Sequence, residues 1–337
     1  MRLLVTGGGG FLGSALLPLL LRQGHEVRLL QRSPAPEALA AGVEVMQGSV
    51  EDATQVCAAL HGVEAVYHLA GRVEFDPGDP PALYALHVQG TRTVLEAAAA
   101  AGVRRAVMAS TSGTMAVFDE ERTGTEADPY PIRLVAGWPY YLSKIFQEKT
   151  ALRISRDTGL PLITLNPSLL LGPGDLRLSS TDVVWKFLER RIPAMPGGGL
   201  SFVDVRDAAQ AFAAALTRGR PGERYLLGGA NMSFHELFGR LERLSGVAAP
   251  RLALPRTVNV LGARLLEKLS SWRGAEAPID SASVEMGERF WYCDSQKARE
   301  ELGFGPRDPQ ETLADTVRWL RQHLRRARPR TVSELSS

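Results

Sequence analysis

The chain has 337 residues, 45% of them hydrophobic and 23% charged, a balance that suits a globular fold with a substantial core and excludes a disordered or fibrous chain. The net charge of +2 supplies no overall field for nucleic acid. The two cysteines, Cys57 and Cys293, match no metal spacing and form no disulfide framework, so a reduced, cytoplasmic setting without a metal is expected.

The chain opens on Leu3-Leu4-Val5, a short apolar run that predicts a buried strand. Thr6 leads into Gly7-Gly8-Gly9-Gly10, then Phe11-Leu12-Gly13 and an apolar stretch to Gln23 that predicts a helix. Strand, glycine turn and helix are the context of a dinucleotide-binding turn. Gly7 would allow the tight turn, Gly10 would let a pyrophosphate approach the backbone, and Gly13 would let the helix pack closely. The helix start would turn free N–H groups and a positive dipole end to the phosphates. The spacing is G-x-x-G-x-x-G and not the commoner G-x-G-x-x-G; without a ligand the same glycines make only a tight turn. Gly24 suits a helix C-cap, and Pro18 is expected to bend or open the helix. The run at 16–21 is too short to span a bilayer, and no leader pattern precedes it. A second strand is predicted at 26–30. At its end, where an NAD-selective fold places a carboxylate, stands Arg32. Its guanidinium suits a 2′-phosphate, so NADP(H) is expected over NAD(H). The alternative is a surface arginine.

Further strands predicted at 43–46, 65–69, 105–109 and 162–166 alternate with helices at 52–60, 80–101 and 139–158. This is the pattern of a parallel sheet wound on both faces, with ligands beyond the C-terminal strand ends. The small residues Ala70-Gly71 would let the chain pass close beneath a cofactor, and the fifth strand delivers Ser110-Thr111-Ser112-Gly113 to the same side. Within Trp138-Pro139-Tyr140-Tyr141-Leu142-Ser143-Lys144, Pro139 marks a helix start. Tyr140 and Lys144, four apart, then share a face. A free tyrosine titrates at about 10; a nearby ammonium is expected to lower that value, and the pair can exchange a proton with a substrate oxygen. Tyr141 is the packing alternative. His87 and His68 could shuttle protons, but the preferred reading is that each is a satisfied packing residue.

Residues 173–199 leave the alternation, and 232–319 read as mainly helical. The amphipathic stretch at 258–272 is expected to pack on the core of this second part; a membrane surface or a lid over a greasy substrate is the alternative. Six arginines and no acid lie between 318 and 330, read as the solvated end of a last helix.

Taken in order, these motifs resemble the extended short-chain dehydrogenases/reductases, the family of nucleotide-sugar epimerases, dihydroflavonol reductases and 3β-hydroxysteroid dehydrogenases. The matching residues are Thr6 through Gly13, Tyr67-His68-Leu69-Ala70-Gly71, Tyr140 with Lys144, Asn166-Pro167-Ser168 and Gly172-Pro173-Gly174-Asp175. Phe202-Val203-Asp204-Val205-Arg206-Asp207 and Gly222 through Gly229 continue the match, so it covers nearly the whole chain. It is nearest to dihydroflavonol-reductase-like proteins and hopanoid-associated sugar epimerases. It implies an α/β fold: a Rossmann-type doubly wound parallel sheet over 1–171 and 202–229, a smaller, mainly helical substrate lobe from 172–201 and 230–322, and a basic, mobile tail at 323–337. It implies Tyr140 as acid/base, Lys144 as the group that lowers its pKa and holds the nicotinamide ribose, and Thr111 in place of the substrate-polarising serine. The cofactor would meet Gly7, Gly10, Phe11, Leu12, Gly13, Arg32, Ser49, Val50, Leu69, Ala70, Gly71, His87, Ser110, Pro167 and Ser168 beside Tyr140 and Lys144. The substrate would meet Arg72, Ser112 and Gly113. Ser49 replaces the family's usual aspartate, His87 its asparagine and Thr111 its serine. The expected function is an NADP(H)-dependent oxidoreductase acting on a secondary alcohol or ketone of a small molecule, with a homodimer through the helices flanking the sheet. A sugar epimerase or dehydratase that retains its cofactor is one alternative; a non-catalytic cofactor sensor or scaffold is the other.

Overall fold

The computed structural model describes residues 1–32, 42–74, 79–272 and 281–327. In chain order the strands are β1 (Arg2–Thr6), β2 (Glu26–Gln31), β3 (Val43–Gln47), β4 (Ala65–His68), β5 (Arg105–Ala109), β6 (Thr123–Gly124), β7 (Leu162–Pro167), β8 (Leu169–Leu171), β9 (Gly199–Asp204), β10 (Arg224–Leu227), β11 (Ala230–Ser233) and β12 (Phe290–Cys293). Seven form one sheet in the order β10-β7-β5-β4-β1-β2-β3, with every pair parallel. β1 is an inner strand: the chain builds outward through β2 and β3, then crosses back to place β4 on the other side. That reversal opens a crevice at the C-terminal ends of β1 and β4, where α/β sheets bind ligands.

Burial follows the pleat. Leu3 and Val5 join the core on one face, with the Phe11–Arg22 and Val205–Arg218 helices. Leu4 joins the core on the other, with the Ala53–Leu60, Gly90–Ala100 and Pro139–Thr158 helices. Alternation along a strand enforces this division.

Several expectations change in detail. Pro18 lies on the exposed side of a helix that stays unbroken from Phe11 to Arg22. The long helix expected at 80–101 is split by a π-helical turn, Ala85–Gln89, that carries His87. β8 and β9 do not enter the seven-stranded sheet. They join a second sheet, β11-β9-β12-β6 with β8 beside β9; β10 is the strand that returns to the first sheet, and the Val205–Arg218 helix packs on that sheet's core. The last helix runs Pro309–Ala327; positions 323–327 of the expected tail are therefore helical, and 328–337 lie outside the described residues. The second lobe has its own core, built from Phe187, Phe202, Phe234, Leu237, Phe238, Leu313 and Leu320 among others.

The Arg256–Trp272 helix departs from its expected role. Ala263 is buried, but Val258, Leu261 and Leu265 are 51%, 64% and 60% exposed. Val258, with Asn259, Gly262 and Ala263, borders the crevice, whereas Leu261 and Leu265 do not. Val258, Leu261 and Leu265 are thus not spent on the lobe core, and the helix borders the cleft.

Candidate active site

The glycine turn is a close-packed cradle. Gly7 has φ +74°, and a Cβ there would stand 2.6 Å from Ala70 N; a Cβ on Gly13 would stand 2.5 Å from Gly8 Cα. Only glycine lets β4's end and the helix start approach this closely. No side chain caps the start of the Phe11–Arg22 helix, so its first N–H groups are left to face an anion. Ser110 Oγ, at the end of β5, is buried without a hydrogen-bond partner. An uncapped helix start, a cradle that admits no side chain and an orphaned buried hydroxyl on one cleft fit a dinucleotide.

The cleft has a volume of about 1550 Å³, larger than the roughly 300–1,000 Å³ of single-ligand pockets. Every residue expected at the site lines it: Gly7, Gly10, Phe11, Leu12 and Gly13 of the glycine turn, Arg32, Ser49, Val50, Leu69 through Arg72, His87, Ser110 through Gly113, Tyr140, Lys144, Pro167 and Ser168. Their placement within it differs in kind. Arg32 is exposed at the end of β2, whereas Arg28 is buried away from the cleft, donating to Ala59 O and His61 O at 2.7 and 2.9 Å. Ser49 takes its place through its backbone N–H, which donates to Gln55 Oε1 at 2.7 Å. Arg72 is paired with Glu74 at 2.6 Å. Gly113 lies under Tyr141, whose ring a Cβ there would meet at 2.3 Å.

Tyr140 is buried, and its phenol hydrogen-bonds with Thr111. Burial raises its pKa, opposed by that hydrogen bond. This corrects the expected lowering by Lys144. The Lys144 ammonium donates to Ala109 O at 2.9 Å and to Gln147 Oε1, and burial pulls its own pKa down to about 8, against the attraction of Glu148. Thr111 is held in turn: its carbonyl accepts from Asn166 Nδ2 at 3.1 Å and from Thr114 Oγ1 at 2.9 Å.

His87 stands behind Tyr140, with ring centroids 5.9 Å apart and edge to face. Its Nε2 accepts from Arg72 N at 3.1 Å, so the neutral ring carries its proton on Nδ1 and donates it to Ser143 Oγ at 2.8 Å. Ser143 Oγ donates to Tyr140 O at 2.7 Å. Burial holds the His87 pKa down at about 2, and Lys144 adds to this. The ring is thus a neutral bracket for the helix turn that bears Tyr140. His68 does not border the cleft. It bridges Thr6 Oγ1 and Thr91 Oγ1, each at 2.8 Å, with its pKa lowered by burial to about 3.

Sequence reasoning missed Gln147, Asn166's role and Trp291. Gln147 joins Lys144 to Thr91, donating to Thr91 Oγ1 at 2.8 Å. Its signal was present: Tyr140, Ser143, Lys144, Gln147 and Glu148 fall at successive helical spacings, and all are buried. Trp291 packs 4.8 Å from Tyr141 and 5.6 Å from Trp138. No local pattern could place it there, because β12 reaches the cleft through the second sheet.

A model of the NAD dependent epimerase/dehydratase family matches residues 3–228. A Synechocystis protein named for dihydroflavonol 4-reductase is 32% identical over 95% of this chain and 94% of its own. Sterol demethylase protein B of Methylococcus capsulatus is 31% identical over 96% of this chain and 99% of its own. The crystal structure of gox2253 superposes with a TM-score of 0.83 at 32% identity, covering 96% of this chain and 98% of that one. The chain belongs to the NAD-dependent epimerase/dehydratase family, the extended branch of the short-chain dehydrogenases/reductases, whose members work with a nicotinamide dinucleotide on small molecules.

Proposed function

We propose that the protein is an NADP(H)-dependent oxidoreductase that interconverts a secondary alcohol and a ketone. The observation that carries this reading is the Tyr140 phenol, hydrogen-bonded with Thr111 inside a cleft that also holds Ser110 and Lys144. In reduction, Tyr140 donates its proton to the carbonyl oxygen while Thr111 holds that oxygen in line. A bound reduced nicotinamide would supply the hydride for the carbonyl carbon. The phenolate left on Tyr140 is stabilised by Thr111 and regains a proton from solvent. Lys144 holds the nicotinamide ribose. A buried phenol with a raised pKa stays protonated at neutral pH, which suits a donor in the reductive direction.

Arg32 favours NADPH, because no carboxylate stands at the end of β2 and a guanidinium binds a 2′-phosphate well. A thermal shift larger for NADPH than for NADH, with the difference abolished in Arg32→Ala, is expected; equal shifts in the unaltered protein would overturn the preference. For the reaction, Tyr140→Phe is expected to lose at least about 100-fold in ketone turnover with NADPH affinity retained. Undiminished turnover would remove Tyr140 from the chemistry. The family model also embraces epimerases. Protein that purifies with its cofactor attached and converts a substrate without net cofactor consumption would favour that second reading.

A further inference from the structure

The cleft is chemically divided. Its nucleotide half is built from glycines, hydroxyls and backbone. Its other half, under the second lobe, presents Leu200, Phe234, Leu254, Ala263, Met286 and Trp291. Several polar side chains in that half are spent on the protein itself. Asp175 is buried, its carboxylate accepting from Ser179 N, Ser180 N and Thr181 N at 2.8–3.0 Å. Lys186 is paired with Asp182 at 2.7 Å. Asn259 Nδ2 donates to Glu288 Oε1 at 2.8 Å, and Trp291 Nε1 donates to Met286 O at 2.9 Å. Arg177 and Arg191 are exposed. The rim continues the apolar character: Leu252 and Val258, both on the cleft wall, are 54% and 51% exposed. A sugar diphosphate would find Arg177, Arg191 and the buried Ser201 hydroxyl on this wall, but the rest of its polar groups would face apolar side chains, and such groups are costly to desolvate unpaired. An apolar body loses nothing there and gains from leaving water.

We propose that the lobe half of the cleft takes the apolar body of a poorly water-soluble alcohol or ketone, with Val258 and Leu252 forming the lip it passes. The proposal rests on the hydride-transfer reading above, because that reading fixes the reacting carbon beside Tyr140 and leaves the rest of the substrate to this chamber.

Calorimetric titration of the NADP⁺-saturated protein with a series of 2-alkanones, from 2-butanone to 2-undecanone, tests it. Kd is expected to fall by about fourfold for each methylene buried, until the chamber is filled. UDP-glucose, added as the competing probe, is expected to give no measurable binding. Val258→Asp, at an exposed site where folding is not at stake, is expected to flatten the dependence on chain length. A Kd constant along the series, UDP-glucose bound more tightly than the longest ketone, or an unaltered slope in Val258→Asp would each overturn the proposal. Chain-length-dependent binding without any NADPH consumption would support this chamber while removing the hydride-transfer reading. Turnover of 2-butanone as efficient as that of 2-undecanone would do the reverse.

Discussion

Tyr140 illustrates how a local rule can be right about a pair of residues and wrong about its sign. Spacing puts a phenol and an ammonium on one helical face, and opposite charge favours ionisation. Burial works against ionisation, and here it wins, because Lys144 directs its protons to Ala109 O and Gln147. The hydroxyl of Thr111 is what opposes it. Thr111→Ser is therefore expected to keep ketone turnover within about tenfold, whereas Thr111→Ala should cost at least about tenfold in kcat, as loss of one donor to a developing oxyanion does. The buried histidines make a separate prediction. His68 and His87 have pKa values of about 3 and about 2 in the fold, below the ordinary value of about 6.5. From about pH 6.5 down to those values the unfolded chain binds protons that the folded chain refuses, so stability falls as pH drops. Each histidine should account for about 2 kcal/mol lost between pH 7 and 5. Urea midpoints at the two pH values should show a smaller loss for His87→Asn than for the unaltered protein. The kcat/KM profile should carry no step between pH 5 and 7, below the range in which Lys144 titrates; such a step would mean that one of these rings titrates during turnover.

The Pro139–Thr158 helix is organised around a buried face that is mostly polar. Tyr140, Ser143, Lys144, Gln147 and Glu148 occupy positions where a helix of this length usually places leucine. Most of their polar atoms are paired: Ser143 with His87 and Tyr140 O, Gln147 with Lys144 and Thr91, and Glu148 Oε1 with Thr114 Oγ1 at 2.8 Å and Asn166, while Glu148 Oε2 has no hydrogen bond and lies 3.7 Å from Arg224 Nη1. A sequence reading based on apolar periodicity treats these positions as solvent-facing, which is why only the Tyr140–Lys144 pair stood out. Gln147→Leu tests the network. It preserves volume but leaves a buried ammonium and a buried hydroxyl each short of a partner, which should cost about 2 kcal/mol in denaturant unfolding. It should also weaken NADPH binding, since Lys144 loses its tether. Unchanged stability would mean that Gln147 is merely filling space. The π-helical turn at Ala85–Gln89 belongs to the same assembly. One extra residue in the turn re-aims the helix, and such bulges are frequent at functional sites.

At the scale of the molecule, the C-terminal segment ties the two sheets together. Arg307 binds the buried Asp207 carboxylate through Nη2 and Nε at 2.8–3.1 Å, and its backbone N–H donates to the same group at 2.8 Å. Arg206 bridges Asp204 and Asp315 at 2.7 and 2.8 Å, and Thr316 Oγ1 accepts from Gly172 N at 2.8 Å. Arg307→Ala leaves Asp207 buried without its counter-charge. It is expected to cost about 3 kcal/mol, the usual result of removing one partner from a buried pair, read as a lower midpoint in urea. The alternating strands and helices, the glycine turn and the Tyr140–Lys144 spacing were all readable from the chain, because each depends on a backbone period or on a residue's own conformational freedom. The placement of β8 and β9 in a second sheet, the arrival of Trp291 beside Tyr141 and the exposure of Val258, Leu261 and Leu265 depended on contacts between residues far apart in the chain. The sign of the Tyr140 shift was likewise settled by its surroundings, since desolvation is a property of everything packed around a group. Local periodicity therefore determined the elements and the shared helical face of Tyr140 and Lys144, while only tertiary packing decided the chamber they face and the charges it tolerates.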